Sequence, residues 1–400
     1  MEFKPFKYVS DFYKNCVEFE KKDEGKNWAV SPVTMLMSMI MALDGSSGQT
    51  RDQIKSALSI VAKKLCSTQA SDKDPEEDSK IQKLLAKFKL DHLPVKMANL
   101  LYLNKVYNLK DCFIEEQKNL NGAIAKSLDF SDPKRAAKEI NFDVSKSTDE
   151  QLVEMISPED LIKDSVMILV NGLFHHVKFL EAFNPQESIK AYFHGCSKDI
   201  TYMCRTGTMD YYKFQVLHAP LKAQGVRLEL DNDLTLVIVI PDAEDGLKEM
   251  NKLLQERQGE WLLTTMLKKS HYRKKCLTLC IPKLDLNEHF EMTDILEPMG
   301  VEKAFRNDAD FSNISESKIK LISVFHKAVL KVDESGTKAA AAPSTEEVKL
   351  ELRADHPFFM AVVTGNGIPI IMANVWKAAS FNNDFEKIEN PYGDYNGSSK

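Results

Sequence analysis

No part of this 400-residue chain comes near the 18 consecutive apolar residues that a membrane-spanning helix requires. The opening MEFKPFKYVSDFYKN also lacks the continuous apolar stretch and small-residue cleavage site of a classical signal peptide. A cytoplasmic protein, or one exported by a non-classical route, is therefore expected. Basic charge is in deficit: 53 Lys and Arg against 59 Asp and Glu leave a net charge of −6, which argues against a generally nucleic-acid-binding surface. Cysteines are few. Cys16, Cys66, Cys112, Cys196, Cys204, Cys276 and Cys280 contain no C-x-x-C pair, so neither a zinc knuckle nor a dense disulfide framework is indicated, and an odd count leaves at least one unpaired.

The signatures of motif-bearing enzymes are missing as well. There is no H-E-x-x-H, no P-loop, no G-x-G-x-x-G following a strand and no G-x-S-x-G elbow. His175 and His176 are adjacent, but neighbouring side chains on a strand point to opposite faces and cannot jointly hold one ion. No catalytic activity, metal or resident cofactor is expected.

What is present is ordinary globular material, 43% hydrophobic and 28% charged, enough to bury a large core. SPVTMLMSMIMALDG begins with Ser-Pro at a plausible helix start and then runs apolar almost all round, as a buried helix does, with Thr50 placed to cap the helix after it. Residues 67–80 are polar and contain Pro75, the composition of a flexible loop. MANLLYLNKV reads as a strand and FIEEQKNLNGAIAKSLDF as a helix. From Ser165 strand signals dominate, and GVRLELDNDLTLVIVI predicts a hairpin turning at Asp231-Asn232-Asp233. Helices early and strands late predict an α+β fold with a large mixed or antiparallel sheet. The last residues, 380–400, have the composition of a polar tail.

The unusual stretch is DESGTKAAAAPS, from Asp333 to Ser344. Alone, four alanines favour a helical turn. The surrounding HKAVLKVDESGTKAAAAPSTEEVKLELRADHPFFMAVV closely resembles the reactive-loop region of the serpins, inhibitors that trap serine proteases by inserting a loop into their own sheet. Further landmarks agree. NWAVSPVTMLMSMIMAL resembles the family's Asn-x-x-x-Ser-Pro helix, LVNGLFHHVKFLEAF its Leu-Val-Asn-x-x-x-Phe segment, and IPKLDL followed by DILEPMGVEKAFRNDADFSNIS its Pro-Lys and Ala-Asp-Phe-Ser signatures. These run along nearly the whole chain and imply one serpin domain over 1–379, ovalbumin-like in lacking a cleavable signal, with hinge and reactive loop in 333–356.

The resemblance implies an α+β serpin fold with a central sheet and an exposed loop, and a monomer acting as a suicide substrate for a serine protease. Its hinge would comprise Glu334, Gly336, Thr337, Ala339, Ala340, Ala341 and Ala342. Small side chains suit a segment that must enter a packed sheet, and Gly336 supplies backbone freedom at the turn. Counting from Glu334 places the cleaved bond at Lys349-Leu350, suited to a trypsin-like pocket, or at Leu350-Glu351, suited to a chymotrypsin-like one; counting back from Pro357-Phe358 gives Glu346, and Arg353 is a further candidate. Insertion of Thr337 to Lys349 at about 3.3 Å per residue would carry the protease roughly 43 Å. Ser31, Pro32, Asn171 and His326 match the residues that support the opening of the sheet. The chain departs from the family at Val177 and Phe179, where Gly and Trp are usual, and at Pro343, since proline is disfavoured in a central strand.

Two features stand apart. Lys268, Lys269, Arg273, Lys274 and Lys275, with His271, form a basic run that reads first as a solvated face and second as a site for a polyanion such as a sulfated glycan. Asn313-Ile-Ser and Asn396-Gly-Ser are glycosylation sequons, meaningful only after export.

Overall fold

In the five-stranded sheet, two parallel strands lie side by side with antiparallel partners outside them, an arrangement that leaves a central seam. A computed structural model describes residues 2–21, 25–61, 95–121, 123–162, 165–215, 221–338 and 350–378. Helices α1 (Pro5–Glu20), α2 (Pro32–Gly45) and α3 (Gly48–Ala57) are followed by α4 (Asp111–Asn121), α5 (Pro133–Ser147), α6 (Gly246–Gln255), α7 (Gly259–Leu267) and the short α8 (Thr293–Leu296). Strands are numbered along the chain. β1 (Glu2–Phe3) and β3 (Ile60–Val61) form a two-stranded ribbon, with β2 (Trp28–Val30) between them in sequence.

The five-stranded sheet joins β4 (Lys96–Asn104), β5 (Ile124–Leu128), β6 (Met167–His176), β13 (Leu284–Glu291) and β14 (Leu321–Val332) in the order β13-β14-β6-β4-β5. The β14·β6 and β4·β5 pairs are parallel, while β13·β14 and β4·β6 are antiparallel. A nine-stranded sheet runs from β16 (Glu351–Arg353) through β12 (Arg273–Pro282), β9 (Ile200–Gln215), β10 (Lys222–Glu229), β11 (Thr235–Pro241), β17 (Phe358–Val363) and β18 (Pro369–Val375) to β2, with β8 (Ile189–Ala191) also on β9. The short β7 (Phe179–Glu181) pairs with β15 (Gly336–Lys338). The fold is α+β, as the sequence predicts.

Local chemistry explains the elements that position the seam. Ser31 caps α2, its hydroxyl accepting from the Thr34 N–H at 3.2 Å, and Pro32 occupies the first turn, where a missing N–H costs nothing. Every residue of α2 except Asp44 is buried, which is why its sequence is apolar all round. Helix α5 covers the sheet through Ala136, Ile140 and Val144, which share a core with Leu100, Tyr102, Ile168 and Val170. At the β10·β11 hairpin Asn232 and Asp233 both take positive φ, 53° and 61°, a conformation these residue types tolerate.

Two local expectations are corrected. Thr50 lies inside α3 and accepts instead from the Asp310 N–H at 2.9 Å; Ser47 is the cap position. The segment read as one helix from Phe113 to Phe130 is the end of α4 followed by strand β5, which tertiary pairing with β4 draws out of helix. The 67–80 stretch and the 380–400 tail lie outside the described residues. No helix among the described residues is long and apolar enough to cross a membrane.

Composition hid one covalent link. Cys204 on β9 and Cys280 on β12 are register partners in the antiparallel ladder and form a disulfide across a sequence separation of 76 residues. Closing a loop of that length removes denatured-state entropy worth on the order of 4 kcal/mol. A double Cys204→Ser/Cys280→Ser variant is expected to lose up to about that much unfolding free energy in urea. Non-reducing peptide mapping should recover the Cys204–Cys280 pair from the parent protein.

Candidate functional site: a closed seam and its hinge

Strands β6 and β14 meet along a parallel ladder from Leu321↔Met167 to Lys331↔His176. Behind its middle the floor is polar. His326 on β14 is wholly buried, and its Nδ1–H donates to the Asn171 side-chain carbonyl on β6. Its Nε2 accepts from the Ser31 N–H at 3.0 Å, a group available because it precedes the first turn of α2. The Asn171 amide donates to the Phe325 carbonyl at 3.1 Å, and Thr34 Oγ1 donates to Asn171 Oδ1 at 3.2 Å. Thus α2, β6 and β14 are joined through one imidazole with both nitrogens satisfied. Pro32 contributes its carbonyl, which accepts from Tyr8 Oη at 3.0 Å. Thr34 was not singled out from the sequence, nor were Ser38 and Asn99, which extend the polar floor to β4 through a 3.4 Å contact. The signal was there: Ser31, Thr34 and Ser38 at i, i+3 and i+7 make a polar stripe on an otherwise apolar helix.

The hinge leaves the top of β14 and stays outside the seam. β15 continues parallel to β7, with Gly336↔Phe179 and Lys338↔Glu181 in register. Phe179 N–H donates to the Ser335 carbonyl at 2.9 Å, and Thr337 Oγ1 to the Leu180 carbonyl at 3.2 Å. Gly336 has a different role from the one its flexibility suggests: a Cβ there would lie 2.6 Å from the Ala182 backbone, so close approach requires glycine in this state. Glu334 is fixed by Lys283 at 2.7 Å and by the Ser188 hydroxyl at 3.1 Å. Burial works against the Asp333 charge, but hydrogen bonds from His176, at 2.9 Å, and from Ser335 outweigh it and hold that carboxyl well below the usual range. Val177 and Phe179, the two departures from the family pattern, are fully buried, Phe179 edge-on to Phe183 at 4.9 Å.

Ala339, Ala340, Ala341, Ala342, Pro343, Glu346 and Lys349 lie outside the described residues. Leu350 lies within them. Its carbonyl accepts from the Thr278 N–H at 2.9 Å and its side chain packs on the core. Arg353 is inside β16, opposite Cys280 on β12, and its guanidinium donates to Glu351 at 2.6 Å. The residues of the basic run have partners within the protein. Lys269 and Lys274 both approach Asp210, at 3.6 and 3.5 Å; Lys268 stands over the Phe6 ring and Lys275 over Tyr211; Arg273 donates to the Ser270 and Tyr272 carbonyls. The sequon residue Asn313 gives its amide to the Asp44 and Ser46 carbonyls at 3.0 and 3.2 Å.

Burial, with a smaller contribution from His289, lowers the His326 pKa to about 3 from 6.5. Between those values the unfolded chain binds a proton that the closed seam refuses, so stability falls as pH drops from 6.5 toward 3. Going from pH 7 to pH 5 should cost the parent about 2 kcal/mol through this residue. A His326→Gln variant, less stable at pH 7, should lack that increment when urea unfolding is compared at the two pH values.

Comparison with known proteins gives this architecture its family. The family model for "Serpin (serine protease inhibitor)" matches residues 9–378. Alpha-1-antitrypsin 1-2 of Mus musculus is 29% identical over 356 residues, covering 86% of this chain and 81% of that protein. Serpin B10 of Rattus norvegicus is 29% identical over 377 residues, covering 87% and 93%. Among solved structures, Serpin48 of Tenebrio molitor superposes with a TM-score of 0.78 at 22% identity, over 94% of this chain and 97% of that one. Uncleaved ovalbumin gives 0.75 at 18%, over 92% and 96%. A family match over almost the entire chain, on a fold with these neighbours, makes this protein a member of the serpin family.

Proposed function

We propose that this serpin inhibits a serine protease as a suicide substrate. The observation that carries the reading is the seam: β6 and β14 are parallel neighbours, so one strand antiparallel to both can enter between them, and the hinge begins directly above. The protease attacks the loop, its serine becomes acylated, and the freed proximal segment moves into the seam with the enzyme attached. A displacement of about 1 Å among catalytic groups can cost a hundredfold in rate, enough to strand the acyl-enzyme. The protein acts as a monomer in this scheme and contributes no catalytic group of its own.

For the cleaved bond, Lys349-Leu350 gives the longer inserting strand and presents a cation to a trypsin-like pocket. The hydrogen bond at Leu350 favours a second reading, because that residue must leave Thr278 before a protease can straddle the bond. Cleavage at Glu346-Glu347 lies upstream of that hydrogen bond. It would suit a protease selecting acidic residues and still provides ten residues from Thr337, the length of β6. The Cys204–Cys280 disulfide supports residence in an oxidising compartment.

Incubation with trypsin, and separately with a glutamate-specific serine protease, should give an adduct that survives denaturing electrophoresis with one of them. The released C-terminal peptide identifies the bond by beginning at Leu350 or at Glu347. Cleavage by both without any adduct would show a loop that is bait only, and would make this a non-inhibitory serpin with a carrier, chaperone or storage role.

A further inference from the structure

At the top of the seam a side-chain bond joins one strand to the other. Beside the last ladder pair, Lys331↔His176, the Val177 N–H donates to the Lys331 carbonyl at 2.8 Å, and the His176 imidazole Nε2–H donates to the Asp333 carboxylate at 2.9 Å. An ionised carboxylate only accepts, which makes the imidazole the donor. His176 is the last residue of β6 and Asp333 the first after β14, so the pair spans the line along which a strand would enter. The contacts of Glu334 are placed differently. Lys283 immediately precedes β13, on the far side of β14 from β6, and Ser188 immediately precedes β8, so these two hold the hinge without crossing the seam.

Asp333 uses its two oxygens for two different tasks. Oδ2 accepts from His176, while Oδ1 accepts from the Ser335 N–H at 2.8 Å, where the hinge begins. Ser335 in turn gives its carbonyl to the Phe179 N–H at 2.9 Å, the bond that seats the hinge on β7. The contacts therefore form a circuit: from His176 across the seam to Asp333, into the hinge at Ser335, and back to Phe179, three residues after His176. Burial works against the Asp333 charge, and the bonds from His176 and Ser335 are what sustain it. Without His176 the half-buried carboxylate gains most by turning out to water, and Ser335 then loses its acceptor.

We infer that the His176–Asp333 pair is a latch that ties closure of the seam to seating of the hinge, so that opening the top of the seam and releasing the hinge are one event. The inference rests on reading the seam as the entry for a strand. Neighbouring strands lie about 4.8 Å apart, and a strand between them roughly doubles that spacing, which parts His176 from Asp333. Both are positioning residues in this scheme, since neither touches the protease.

Amide hydrogen exchange on the ¹⁵N-labelled protein tests the latch with no protease present. The Val177 N–H reports the top of the seam and the Phe179 N–H the hinge, while the amides of Met167 to Leu169, at the other end of the same ladder, serve as the internal control. His176→Leu is expected to speed exchange at Val177 and Phe179 together by about fivefold, the worth of one charge-assisted hydrogen bond at a half-exposed site, and to leave the control amides unchanged. Asp333→Asn should do the same. His176→Lys returns a donor to the Asp333 carboxylate and should restore parent exchange at both positions, which a side chain acting only through its bulk would not explain. Unchanged exchange at Val177 in the first two variants would overturn the inference. So would faster exchange at Val177 with Phe179 unmoved, because the two openings would then be independent. The side chains of His176 and Asp333 are 34% and 29% exposed and lie on opposite strands, so a variant that failed to fold would leave the other to decide. A parent protein that traps neither protease would sink the inhibitory reading and leave this comparison standing.

Discussion

The polar floor of the closed seam is held by one imidazole. His326 bonds to Asn171 across the seam and to Ser31 beneath it, so β14, β6 and α2 share one polar junction. A purely apolar seam would slide and reseal with little preference for any state. A polar one is favourable only when every donor and acceptor is matched, and its cost when half matched is what makes opening discrete. Because the ring must be neutral to accept from Ser31, the same junction ties the closed sheet to pH.

The hinge meets a complementary constraint. In the state described, Glu334 is anchored by Lys283 and Ser188, and Gly336 lies too close to Ala182 for any side chain. These contacts hold the hinge outside the seam. In the proposed mechanism each would be surrendered as the hinge turns downward, and an antiparallel ladder on both sides of the entering strand would replace them together with the β6·β14 pairing. The proposed inserted state would gain backbone hydrogen bonds on two edges, where the hinge as described has the short β15·β7 ladder on one.

Much of this was readable from residues alone. The Ser-Pro helix start, the apolar α2, the Asn232-Asp233 hairpin and the α+β class follow from local chemistry. The landmark segments placed Ser31, Asn171 and His326, and the structure brings these three into one hydrogen-bonded junction. Sequence reasoning failed where partners are distant. Cys204 and Cys280 are 76 positions apart, and only the β9·β12 register makes them neighbours. Lys283 is one of many lysines until β13 brings it beside Glu334. Gly336 illustrates the same limit in reverse: the residue was singled out, but the backbone packed against it is what excludes a Cβ.

The two ends of the loop are held unequally, and in the proposed mechanism this asymmetry would make cleavage the trigger. The distal end is strand β16 on β12, which is itself cross-linked to β9 at the level where Arg353 pairs with Cys280. The proximal end rests on the short β15 and the contacts of Glu334. Eleven residues, 339–349, connect Lys338 to Leu350 and reach at most about 38 Å when fully extended. An intact loop that enters the seam must also return to Leu350, so insertion halts after roughly half that reach while β16 stays docked. Cutting the chain removes the return path. In the proposed mechanism only then would the proximal strand run the length of β6, and whatever is bound to its new C-terminus would travel with it.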